Sequence, residues 1–163
     1  MEENYLSDFD RADVDLVVEN ELNRIARYTR HSNPSAVLLA GQPGAGKTVL
    51  SSMLSKAKHD DVFFINADEY RRFHPHYQEL YELYGSDSVQ MTSAFSGAVT
   101  ETLIHALSDE KLHLIIEGTG RTTEVPHRTA ELLTGKGYRV ELAVIAARPE
   151  LSLCSTLLRF YEM

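Results

Sequence analysis

The chain has 163 residues, 43% hydrophobic and 25% charged, a globular composition that excludes a disordered or low-complexity protein. Sixteen Lys+Arg against twenty-four Asp+Glu leave a net charge of −8, which argues against a nucleic-acid backbone or an anionic membrane as the main partner while leaving room for a local basic pocket. The lone Cys154 excludes an internal disulfide, the start Met1-Glu2-Glu3-Asn4 lacks the layout of a signal peptide, and no apolar run approaches the roughly 20 residues that span a bilayer, so a cytoplasmic, single-domain protein is expected.

Val14, Val17, Val18, Leu22, Ile25 and Tyr28 recur at three- and four-residue spacing and predict a helix over 10–29, ended by the breaker His31-Ser32-Asn33-Pro34. Ala36 to Ala40 is a short continuous apolar run, the pattern of a strand buried on both faces. A Gly-rich turn leads to a helix over 47–58, and Val62 to Ile65 reads as a second buried strand. Helical segments follow over 68–84 and 88–107, punctuated by Pro75 and Gly85. Leu112 to Ile116 is a third strand, 126–135 a helix, Val140 to Ala146 a fourth strand, and a last helix opens near Pro149-Glu150. This alternation predicts an α/β fold with a mostly parallel sheet and helices on both faces, ligands sitting at the carboxyl ends of the strands. The chain closes at Phe160-Tyr161-Glu162-Met163, inside a helical pattern with no closing Gly, which suggests a shortened form.

Gly41-Gln42-Pro43-Gly44-Ala45-Gly46-Lys47-Thr48 fits G-x-x-x-x-G-K-[ST] and falls between a buried strand and a helix. Glycines there let backbone N–H groups turn around phosphate oxygens, and the helix start adds the positive end of its dipole. Lys47 is placed to reach the β- and γ-phosphates of a nucleoside triphosphate, and the Thr48 hydroxyl to hold Mg²⁺. The guanine-reading and Asp-x-x-Gly strings of a GTPase are absent. Small-molecule kinases carry a carboxylate after the second strand to take the acceptor's proton, and Asp68 stands there; its alternative role is to cap the following helix.

Together Gly41–Thr48, Asp68 with Arg71, His74-Pro75-His76-Tyr77, Glu101, Glu117-Gly118-Thr119-Gly120-Arg121-Thr122, Lys136-Gly137-Tyr138 and Arg159 resemble the zeta toxin family, the toxin half of epsilon/zeta-type toxin–antitoxin systems, in register from about residue 30 onward. The resemblance implies a three-layer P-loop kinase fold and an ATP-dependent kinase that phosphorylates the 3′-hydroxyl of the amino sugar of UDP-N-acetylglucosamine, blocking peptidoglycan synthesis. It implies that Lys47 and Thr48 are phosphate and Mg²⁺ ligands and Asp68 the general base. By the same resemblance Glu101, Thr119 and Arg121 are expected to line the sugar-nucleotide pocket, and Arg159 to clamp ATP phosphates. The implied partner is a small helical antitoxin of the epsilon type. For Glu117, two roles stand: orienting Mg²⁺-bound water beside the substrate, or pairing with an arginine.

Asn66 and Ala67 depart from the acid and glycine of the pneumococcal-type pattern, and Gly120 replaces a bulkier apolar residue, a change expected to loosen the pocket wall. The family continues past residue 163 and places a second phosphate-clamping arginine there. Two alternatives follow: a kinase for another small alcohol or an antibiotic, or a weakly catalytic module that occupies the antitoxin. His74 and His76 are read as a structural turn or a substrate-side loop in preference to a metal site, the stripe Tyr70, Phe73, Tyr77, Tyr81 and Tyr84 as core and pocket wall, and Cys154 as a small buried hydrophobe.

Overall fold

The computed structural model describes residues 5–118, 120 and 122–162, the last four as helix backbone. In chain order the elements are α1 (Arg11–Leu22), β1 (Ser35–Gly41), α2 (Lys47–Ala57), β2 (Phe63–Asn66), α3 (Ala67–Tyr70), α4 (Tyr77–Tyr84), α5 (Ser88–Met91), α6 (Ser93–Asp109), β3 (Leu114–Gly118), α7 (Glu124–Gly135), β4 (Arg139–Ile145) and α8 (Pro149–Glu162). They gather into two compact units, each drawn from two stretches of chain: residues up to 27 with 66–107, and 28–65 with 108–163.

The second unit holds the sheet, ordered β2-β3-β1-β4 and parallel as the alternating pattern predicts, the P-loop kinase-like arrangement that the family resemblance implies. All seven residues of β1 are buried, as its two-sided apolar run requires. It pairs with β3 from Ala36↔Leu114 to Ala40↔Gly118, and with β4 from Ser35↔Arg139 to Gly41↔Ile145. Val37, Leu39, Val62 and Ile115 form a core against which Leu50 and Leu54 of α2 pack, with Ala143 and Ile145 of β4. On the opposite face of β4, Leu142 and Val144 remain exposed. The carboxyl ends Gly41, Gly118 and Ile145 come together at one edge, so loops leaving these strands share one place.

The first unit is helical. Asp10 starts α1 with a capping box: its carboxylate accepts the Asp13 N–H (3.0 Å) and the Asp13 carboxylate accepts the Asp10 N–H (2.9 Å). Phe9 and His74 both meet Phe95 edge-on, at 5.3 and 5.2 Å between ring centres.

Several boundaries move from their expected places. The first helix stops at Leu22, seven residues short, and Tyr28 falls with Phe63 in the second unit, where the two rings pack at 5.3 Å. The third strand lies two residues later than its apolar run: the Leu112 carbonyl is taken by the Tyr138 hydroxyl (2.8 Å) and the His113 carbonyl by the Phe63 N–H (2.8 Å), while Glu117 and Gly118 extend the pairing. Of the aromatic stripe only Tyr70 is buried; Phe73, Tyr81 and Tyr84 are exposed, so most of it is surface and not core. Cys154 is exposed as well.

Candidate active site

The loop from Gly41 to Thr48 joins β1 to α2 as predicted. Gly44 and Gly46 both adopt left-handed backbone (φ 73° and 94°), which a side chain resists. Gly46 precedes the first turn of α2, whose N–H groups have no partner within the helix and make a ready anion site. Gly41 is required by a close approach: a Cβ there would stand 2.8 Å from the Ile145 carbonyl oxygen.

The Lys47 ammonium donates to the Gly41 carbonyl (2.7 Å) and the Gln42 carbonyl (3.0 Å), and lies 3.9 Å from a Glu117 carboxylate oxygen. Lys47 and Glu117 are both largely shielded from water, which strengthens their attraction. The loop therefore keeps its own cation folded inside it, satisfied by carbonyls and a carboxylate. The donor set of this loop (a lysine ammonium, left-handed glycines, a helix N-terminus and the exposed Thr48 hydroxyl in its first turn) fits a nucleotide polyphosphate and its Mg²⁺.

The loop is also tied to the segment after β4. The Gln42 amide donates to the Ala147 carbonyl (2.9 Å), and the buried Ser152 hydroxyl of α8 donates to the Pro43 carbonyl. Arg159 lies on this same helix. Sequence reasoning missed Ser152; a serine in a helix carries no pattern that marks it as a loop contact, and only the fold reveals it.

Asp68 and Glu101 belong to the first unit. Asp68 sits in the first turn of α3, and the cap is Asn66, whose side chain accepts the Asp68 N–H (3.0 Å). The capping alternative for Asp68 is thus removed, and the departure at Asn66 gains a structural reason. The Asp68 carboxylate is exposed and accepts from Arg71 Nε (2.9 Å), whose guanidinium also donates to the Val89 carbonyl (2.6 Å). One oxygen of Asp68 is held in place while the carboxylate stays open to solvent. Glu101 is exposed on α6, off the buried stripe of Val99, Leu103 and Leu107.

Thr119 and Arg121 lie outside the described residues, as does the Arg159 side chain. Gly120 between them has φ 66°, and a Cβ there would meet the Ala40 Cβ at 2.9 Å. The glycine therefore suits a tight left-handed turn against β1, and the expectation of a loosened wall gives way to one of a close fit.

His74 and His76 form the expected turn: His74 Nδ1 accepts the His76 N–H (3.2 Å), and His74 Nε2 faces the Ser7 carbonyl (3.3 Å). Burial first, and then His76, push the His74 pKa down, while the Ser7 contact works the other way. No group of three or more His, Cys, Asp or Glu able to hold a metal occurs among the described residues.

Residues 19–163 match the zeta toxin family. The chain is 42% identical over 159 residues to toxin PezT of Streptococcus pneumoniae, covering 97% of this chain and 63% of that protein. It is 41% identical over 131 residues to toxin zeta of Streptococcus pyogenes, covering 80% of this chain and 46% of that one. Among solved structures, one from the PezAT chromosomal toxin–antitoxin system of S. pneumoniae superposes with a TM-score of 0.91 at 42% identity, over 96% of this chain and 66% of the other. The chain thus spans less than two thirds of the length of the curated relatives it matches.

Proposed function

The chain belongs to the zeta toxin family, and from that premise we propose that it is the phosphoryl-transfer portion of an ATP-dependent kinase that acts as the toxin of a toxin–antitoxin pair. The observation that carries this reading is the Lys47 ammonium held inside a glycine loop between β1 and α2, with Glu117 beside it. Lys47, the loop N–H groups and Thr48 would hold the polyphosphate and Mg²⁺, which would supply positive charge against the charge developing on the transferred group. Asp68 takes the proton of the acceptor hydroxyl; its tie to Arg71 fixes one oxygen and leaves the carboxylate accessible to that proton. Arg159, on the helix bonded to the loop, supplies further positive charge to the phosphates.

The acceptor is the 3′-hydroxyl of the amino sugar of UDP-N-acetylglucosamine, bound with Glu101, Glu117, Thr119 and Arg121, and the regulator is a small helical antitoxin of the epsilon type. The reaction belongs to the cytoplasm, where both nucleotides are found; no described helix is long and apolar enough to cross a membrane. The test is ATP consumption by this chain and by its Asp68→Asn variant, with and without UDP-N-acetylglucosamine. Sugar-dependent turnover that falls about 10²- to 10⁴-fold in the variant supports the reading. ATP binding without turnover on any sugar nucleotide or small alcohol favours an antitoxin-binding module instead.

A further inference from the structure

We infer that Ser152 is a positioning residue of the phosphate loop: through the Pro43 carbonyl, α8 sets the direction of the Gly44 N–H. The inference rests on the phosphate-loop reading above and deepens it. The loop touches the α8 segment at three consecutive residues. The Gln42 side chain donates to the Ala147 carbonyl (2.9 Å), and the Pro43 carbonyl accepts the Ser152 hydroxyl. Gly44 lies so close that a Cβ on it would stand 2.4 Å from the Ser152 carbonyl oxygen, 2.9 Å from the Thr156 hydroxyl and 3.2 Å from the Ser155 Cβ.

The Pro43–Gly44 peptide is trans, and in a trans peptide C=O and N–H point to opposite sides. A Pro43 carbonyl fastened to α8 therefore turns the Gly44 N–H away from that helix, toward the concave side of the loop where a phosphate oxygen needs a donor. Ser152 is buried, so its hydroxyl bonds the loop without competition from bulk water. Thr156, one turn later, donates to the Ser152 carbonyl (2.9 Å), and Ser152 N–H bonds the Arg148 carbonyl (3.0 Å), so the clamp is anchored in regular helix on both sides. Because α8 also carries Arg159, loop shape and the position of that arginine are linked through one element.

The test uses the full 163-residue chain and direct titration with a fluorescent ATP analogue and Mg²⁺, beside titration with inorganic tripolyphosphate, in the wild type, Lys47→Ala, Ser152→Ala and Ser152→Thr. Thermal unfolding of each is followed in parallel. Loss of one positioning hydrogen bond predicts that Ser152→Ala weakens both ligands about five- to tenfold at nearly unchanged melting temperature. Ser152→Thr, which keeps the hydroxyl, restores most of the affinity. Unchanged affinity in Ser152→Ala overturns the inference, and so does a loss that tracks a lowered melting temperature and that threonine fails to restore. Equal binding by wild type and Lys47→Ala is a separate result, which defeats the phosphate-loop reading itself.

Discussion

A single backbone atom decides what the apex of the phosphate loop tolerates. Gly44→Ala forces a methyl group onto the Ser152 carbonyl in left-handed backbone, and the clash cannot relax by turning a side chain. The expected cost is about 1–3 kcal/mol in urea unfolding, with nucleotide affinity lost as well. Tyr138→Phe is the milder case: it strips the Leu112 carbonyl of the 2.8 Å bond from a buried hydroxyl and should cost about 1 kcal/mol in the same assay, leaving ATP binding intact. Burial first, and then Asp109, push the pKa of that hydroxyl above the ordinary tyrosine range, so it stays protonated and remains a donor at any pH of interest. The glycine loop between β1 and α2 was legible because phosphate chemistry restricts residue type at fixed spacing. Ser152 was not, since its role depends on what the fold brings opposite it, whereas the Asn66 cap is a local signal two residues from the N–H it accepts.

At the level of elements, the strands could be read because burial on both faces leaves little but aliphatic residues in them, and β1 shows this along its whole length. Their ends could not, because polar Glu117 joins β3 once β1 offers it a partner. The opening of β1 contains a device that no periodicity reveals. His113 Nδ1 accepts the Ser35 N–H (2.9 Å), its ring stacks on His31 (3.8 Å), and His31 Nε2 meets Asp61 (3.1 Å). Burial first, then the neighbouring His31 and Lys58, hold the His113 pKa below its ordinary value, against the opposing pull of Asp61 and the Ser35 contact. Burial alone would raise the Asp61 carboxyl, but bonds from Thr29 and His31 outweigh it and keep it low. A histidine with a depressed folded pKa binds protons more readily when unfolded, so stability falls as pH drops below about 6.5 and levels off beneath the folded value. Asp61 stays ionised through that window and adds stability until the pH falls below the ordinary carboxylate range. Unfolding free energies at pH 7.5, 6.5 and 5.5 should decline, and His113→Gln, which offers an acceptor to Ser35 without titrating, should flatten the part of the decline owed to this site.

Taken as a whole, the molecule is acidic, and its positive groups matter by position more than by number. Its exposed apolar side chains are not scattered evenly. Leu142 and Val144 stand on a strand that borders the sheet, and Leu151, Leu153, Leu157 and Leu158 lie exposed along α8. A strand edge that no described strand pairs with, with leucine and valine beside it, invites self-association. Replacing Leu142 and Val144 together by lysine should lower light scattering and dye binding in the 163-residue chain while leaving its circular dichroism and ATP affinity unchanged. The two discontinuous units carry a different consequence, one for the order of synthesis. Residues up to 27 leave the ribosome first, yet their unit is complete only when residue 107 has emerged, and the sheet, begun at Ser35, waits for β4 to end at Ile145. Neither half can settle early, so a nascent chain stalled between about residues 66 and 107 holds the apolar face of one helix and two unpaired strands in need of a chaperone's cover.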